Sequence, residues 1–143
     1  MARISTGIPY ISGYEYDVAE LRPFLTNPAA HPDKVGNADV FMVAPSSRAS
    51  NTLTYEYMAG RGFSLVWRFV DEKGRQVNNF VSRRGPHLMG QFLYLPDQAV
   101  VPEGSFVSGE KFFQVLEDFA KNPNILSGAV EWVAWSDINW PEP

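Results

Sequence analysis

Three carboxylates stand where acid/base chemistry is conceivable: Glu56 in TYEYM, Glu131 between Val130 and Trp132, and Asp137 just beyond Trp135. A carboxyl group set among aromatic rings has a raised pKa, because the rings solvate the anion poorly, and two carboxyls in unequal surroundings divide acid and base roles. Glu56 alternates with Thr52 and Thr54, which predicts the solvated side of a half-buried strand. Glu131 shares strand parity with Ala129, Val133 and Trp135, so it stands either at a sheet margin or among apolar groups at a contact surface. His31 and His87 sit in separate proline-containing loops, neither with a second histidine at ligand spacing. Cysteine is absent, which excludes a thiolate zinc site, a disulfide framework and a cysteine nucleophile. Neither a phosphate-cradling glycine loop nor a GxSxG elbow occurs; Gly60-Arg61-Gly62 reads as a turn and the serines from Ser46 as a solvated loop. The expectation is of no enzyme constellation, no metal and no cofactor.

The elements that would position these groups follow from periodicity. Asp17 can cap a short helix, VAELRPFLT, with Val18, Leu21 and Leu25 on one stripe and Pro23 threatening its second turn. ADVFMVAP, residues 38–45, is β-rich. In NTLTYEYMA, Leu53, Tyr55 and Tyr57 alternate with Thr52, Thr54 and Glu56, the mark of a half-buried strand. FSLVWRFV follows with Phe63, Leu65, Trp67 and Phe69 on one face, then a polar hairpin loop from Asp71 to Arg75, then QVNNFVS. RRGPHLMG reads as a loop and QFLYLP as a short strand. The clearest helix runs from Gly109 to Lys121, where Phe112, Val115, Leu116, Phe119 and Ala120 recur at helical spacing after Ser108 and before Pro123.

The segment SGAVEWVAW, 127–135, is short and rich in valine and tryptophan, which predicts a final strand rather than a helix. A strand puts Val130, Trp132 and Ala134 on one face and Ala129, Glu131, Val133 and Trp135 on the other. The fold class expected is α+β: an antiparallel meander with one or two helices packed on one face and a C-terminal strand after the main helix. Phe63, Trp67, Phe69, Phe112, Phe119 and Trp132 are the expected aromatic core.

With 143 residues, 45% of them hydrophobic, one domain over 1–143 is the simplest organisation. The opening residues hold no apolar run of signal-peptide type and no stretch approaches about twenty apolar residues, so a soluble, cytoplasmic protein without membrane contact is expected. Net charge is −4, unevenly placed: residues 1–96 carry 10 Lys+Arg against 8 Asp+Glu, whereas residues 97–143 carry Lys111 and Lys121 against eight carboxylates. Aromatics make up 14% of the chain, but strand parity separates Trp67 from Arg68 and the aromatic C terminus is acidic, which argues against direct nucleic-acid binding.

The stretch SFVSGEKFFQVLEDFAKNPNILSGAVEW resembles the C-terminal signature of the Imm1 family of bacterial polymorphic-toxin immunity proteins. There an extended lead-in precedes an amphipathic helix with Phe near its end, a brief loop and a "VEW"-like strand; here these are Val107-Ser108, the helix ending in Phe119, and Val130-Glu131-Trp132. FSLVWRFVDEKGRQVNNFVS resembles the family's central hairpin, and the likeness covers about the C-terminal two thirds of the chain. It departs from the compact family pattern in the proline-rich opening and around RRGPHLMG. The resemblance implies a non-enzymatic antitoxin that binds a cognate toxin domain, nucleic-acid deaminases among them, and occludes its active site. Two surfaces are candidates for that contact: Glu131, Trp135, Asp137 and Trp140, and the hairpin tip at Asp71 and Glu72. Beside it stands a second reading, a small α+β ligand-binding protein or enzyme with an aromatic pocket and Glu131, Asp137 or His87 as acid/base.

Overall fold

The alternating segments do form the middle of an antiparallel sheet. The computed structural model describes residues 3–6, 15–26, 39–43, 51–95 and 99–141. Within them lie β1 (Arg3–Thr6), β2 (Glu15–Asp17), α1 (Arg22–Thr26), β3 (Asp39–Val43), β4 (Thr52–Met58), β5 (Gly62–Val70), β6 (Gln76–Arg83), β7 (Phe92–Tyr94), β8 (Val100–Pro102), β9 (Phe106–Val107), α2 (Gly109–Lys121) and β10 (Glu131–Ala134). The order across the main sheet is β10-β6-β5-β4-β3-β1-β2, every pairing antiparallel. The protein is thus α+β, with the C-terminal strand after the long helix returning to the sheet edge beside β6. His31 and the serines from Ser46 lie outside the described residues.

Strand parity sorts β4 and β5 into two faces. Leu53, Tyr55, Phe63, Leu65 and Trp67 are buried beneath α2, whose stripe of Phe112, Val115, Leu116 and Phe119 is fully covered. Trp67 meets Phe119 at 5.0 Å and Trp132 at 5.6 Å between ring centroids, both edge to face. Ser108 caps α2 by accepting from Lys111 N–H at 3.2 Å. The helix stops at Asn122, which is extended, because the residue before Pro123 is driven out of the helical region.

The chain after α2 is tied down by side chains that donate to its carbonyls. Trp67 Nε1 and Asn51 Nδ2 both donate to the Pro123 carbonyl, at 3.0 and 2.8 Å, and Trp132 Nε1 donates to that of Ser127 at 2.8 Å. Buried indole N–H groups require such partners, so each tryptophan fixes backbone as well as filling volume.

Where β6 diverges from the first residues of β5, β9 takes its place: Phe63 and Ser64 pair with Val107 and Phe106, while the β6 ladder begins at Val66. Between the two ladders, Ser82 Oγ accepts from Leu65 N–H at 3.0 Å and donates to the Ser105 carbonyl at 2.6 Å. Ser64 and Ser105 complete this buried hydroxyl group, their oxygens 2.7 Å apart. The hydroxyl of Ser82 does the work of a missing main-chain partner.

Several sequence expectations need correction. The predicted helix from Val18 divides into a 3-10 turn, Val18–Leu21, and the short α1, and Pro23 sits in the first turn of α1, where its missing N–H costs nothing. QFLYLP does form the short strand read for it, β7, and its partner is β8, in a separate two-stranded ribbon. RRGPHLMG contains a 3-10 turn, Pro86–Leu88, and buries Met89. The last strand is four residues long, not seven: Ala129 and Val130 both lean on the helix-side core, and Trp135 opens a 3-10 turn, Trp135–Asp137. Among the described residues no helix is long and apolar enough to cross a membrane.

Candidate functional site

The sheet face opposite α2 carries Thr54 and Glu56 from β4 and Ser64, Val66 and Arg68 from β5, placed by the same parity that buries their neighbours. Register sets Glu56 opposite Ser64, Thr54 opposite Val66 and Thr52 opposite Arg68. On β6 and β10, Val81 and Val133 continue the row and bury a second small core with Met89 and Ile138. The segment 99–102 forms one wall over this face and the chain after β10 forms the other. Between them lies a cleft of about 310 Å³.

The C-terminal wall is aromatic. The 3-10 turn at Trp135 swings the chain back, and Trp140 stacks on Trp135 with 4.2 Å between centroids and 29° between planes. Trp140 Nε1 also donates to the Trp135 carbonyl at 3.1 Å, and Phe92 touches the outer ring at 5.7 Å. Trp135 keeps 37% of its surface exposed despite these contacts. Arg68 reaches the same wall, its guanidinium carbon 5.8 Å from the Trp135 ring centre. A cation over an indole face gains about 0.5–1 kcal/mol when exposed and about 2 when desolvated.

Arg68 is half-buried, and desolvation by burial pulls its pKa below the ordinary guanidinium value. Among the described residues no carboxylate approaches it within 4.0 Å, although four other arginines have such a partner. The carboxylate that lines the cleft is Glu56, which is half-buried instead of solvated as its alternation implied. The segment 99–102, which lines the same cleft and is invisible in the β4 pattern, accounts for that difference.

The candidate residues distribute unevenly. Trp135 and Trp140 come together; Glu131 does not join them. It lies on the edge strand β10, with its side chain 65% exposed, and pairs with Arg83 at 3.3 Å across the ladder. A pair so exposed contributes about 1 kcal/mol at most. Asp137 is exposed on the far side of its turn, beside a separate depression shared with Arg83, Met89 and Ile138. At the β5–β6 hairpin, Asp71 accepts from the backbone N–H groups of Lys73 and Arg75, at 2.9 and 3.0 Å, and from Arg75 Nε at 2.9 Å. Its carboxylate holds the turn together, which leaves Glu72 as the exposed acid at that tip.

Glu131, Asp137 and His87, the acid/base candidates for a pocket, do not line the aromatic cleft. Glu56 and Arg68 do, and parity was the only sequence signal for them: Ser64, Val66 and Arg68 alternate with the core residues of β5. Among the described residues no group of three or more His, Asp or Glu is placed to hold a metal ion. Compared with known proteins, the chain matches no family model, no curated protein and no solved structure.

Proposed function

We propose that this protein is an immunity protein that binds a cognate bacterial toxin domain and blocks its active site. The observation that carries the reading is the Trp135–Trp140 stack: Trp135 keeps 37% of its surface exposed and is held in place by the half-buried Trp140, which stacks on it and donates to its carbonyl. Interface energy concentrates in such pre-ordered aromatic anchors, since little side-chain entropy is lost when they are covered. The likeness of the 105–132 stretch to immunity-protein sequences points to the same class, and that stretch folds as one helix–loop–strand unit.

Around the anchors the charge is mixed. Asp137, on the same turn as Trp135 but beside a separate depression, adds one exposed acid suited to the basic channel of a nucleic-acid-acting toxin, while Arg83 offsets much of Glu131. Trp135 and Trp140 therefore carry the contact and Asp137 steers it. Glu72 at the hairpin tip marks the second, smaller candidate surface.

Mixing the protein at micromolar concentration with the toxin domain encoded by the adjacent gene tests this directly. A single complex on size exclusion together with loss of toxin activity is expected. Separate elution with the toxin still active would overturn the proposal.

A further inference from the structure

Half-buried arginines in proteins are ordinarily matched by a carboxylate, because a desolvated guanidinium keeps five N–H donors that need acceptors. Arg68 has the Trp135 face against it but, among the described residues, no carboxylate within 4.0 Å and no hydrogen-bond acceptor. It lines a cleft whose volume, about 310 Å³, falls at the small end of ligand pockets. The walls beside it are apolar: Val66 and Val81 on the floor, Val101 and Pro102 on one side, Trp135 and Trp140 on the other.

We infer that this cleft is a binding site for a carboxylate carried on an aromatic or branched apolar body, with Arg68 holding the carboxylate and the tryptophan stack covering the body. The guanidinium fork donates to both carboxylate oxygens in one plane, a geometry no lysine reproduces. Pinning against Trp135 orients the fork in advance, which reduces the ordering cost of binding. Phosphate is a poorer fit, since a single arginine faces one wall of the cleft while Glu56 lines another part of it. The volume limits the occupant to something near the size of one aromatic amino acid. A free aromatic acid and the C-terminal residue of a peptide share that chemistry. The inference does not depend on the toxin reading, since a chain that bound no toxin would still hold such a ligand.

The test follows the four tryptophan indole N–H signals by NMR, assigned by single Trp→Phe replacements, while the intact protein is titrated. The probes are phenylacetate, a tripeptide ending in phenylalanine, and the neutral amide of each. At least one acid should move the Trp135 and Trp140 signals and leave Trp67 and Trp132 unmoved, with an affinity near 1 mM for so small a probe, on the order of what ten heavy atoms supply. Its amide should bind at least about tenfold more weakly, the worth of a charge-assisted pair. Arg68→Met should remove the difference between acid and amide. Whichever acid binds tighter identifies the natural source, and either one supports the site. No shift with either acid up to about 10 mM, or an amide as tight as its acid, overturns it. The acid-to-amide comparison is made on the unaltered chain, so the conclusion stands even where Arg68→Met disturbs the Trp67 and Trp132 signals.

Discussion

Trp132 and Trp135 stand three residues apart and belong to opposite sides of the sheet: Trp132 meets Trp67 edge to face at 5.6 Å under α2, whereas Trp135 stacks on Trp140 at 4.2 Å over the other face. Substitution should separate the two roles. Trp132→Ala removes a partly buried ring and its bond to the Ser127 carbonyl, and lowers stability by about 3 kcal/mol, read from urea unfolding. Trp135→Ala should cost far less in the same measurement and weaken toxin binding by about 30-fold or more, read by titration calorimetry. The reverse pattern would assign the two faces the other way round.

Ser82 links two ladders through one oxygen, accepting from Leu65 N–H and donating to the Ser105 carbonyl. Ser82→Ala should destabilise by about 1–3 kcal/mol, because a buried amide loses its acceptor and no water replaces it in a fully buried position. Hydrogen exchange at the Leu65 amide gives a local check. Ser64→Ala should cost less, since the Ser105 hydroxyl still donates to the Pro102 carbonyl at 2.6 Å.

Asp71 supplies a pH dependence. Its backbone bond from the Arg75 N–H, with those from the Lys73 N–H and the Arg75 side chain, holds the carboxyl below the usual carboxylate range. A depressed folded-state pKa contributes stability that is present above the unfolded pKa and lost as pH falls through the folded one. Asp71→Asn keeps an acceptor and loses the charge. Its stability deficit relative to the parent should therefore be constant from neutral pH down to about 5 and shrink below about 4, measured by denaturant titration across that range. A deficit unchanged at low pH would remove the charge from the account.

Gly109 begins α2 where the Leu25 carbonyl of α1 crosses it, and a Cβ built there collides with that oxygen. Helix propensity alone favours alanine over glycine by about 1 kcal/mol. Gly109→Ala should nevertheless lower the melting temperature, since overpacking at a rigid backbone contact costs about 1–3 kcal/mol. A raised melting temperature would show that α1 gives way easily.

Much of the architecture was legible because burial in this chain has two clean periods. The alternation of Leu53 and Tyr55, and of Phe63, Leu65 and Trp67, marked one covered sheet face, and the spacing of Phe112, Val115, Leu116 and Phe119 marked the helix that covers it. Asp17 was readable as a cap and Ser108 as the residue before the main helix, and in the fold each side chain accepts from an amide within a few residues. The β7–β8 ribbon was not readable as a separate sheet, since three-residue strands carry too little pattern to name their partner.

By itself the sequence determined the α+β class, the helix-side core and the inward role of Trp132, because those rest on local period and on hydrophobic burial against one partner face. Only the tertiary structure decided that Glu131 is taken up by Arg83, that Asp71 holds its own turn, that Trp135 leaves the strand to stack on Trp140, and that Arg68 shares their cleft. Each of those outcomes depends on which segments cross over the second face of the sheet. Strand parity says only that a side chain points to that face, and long-range chain closure says what it meets there.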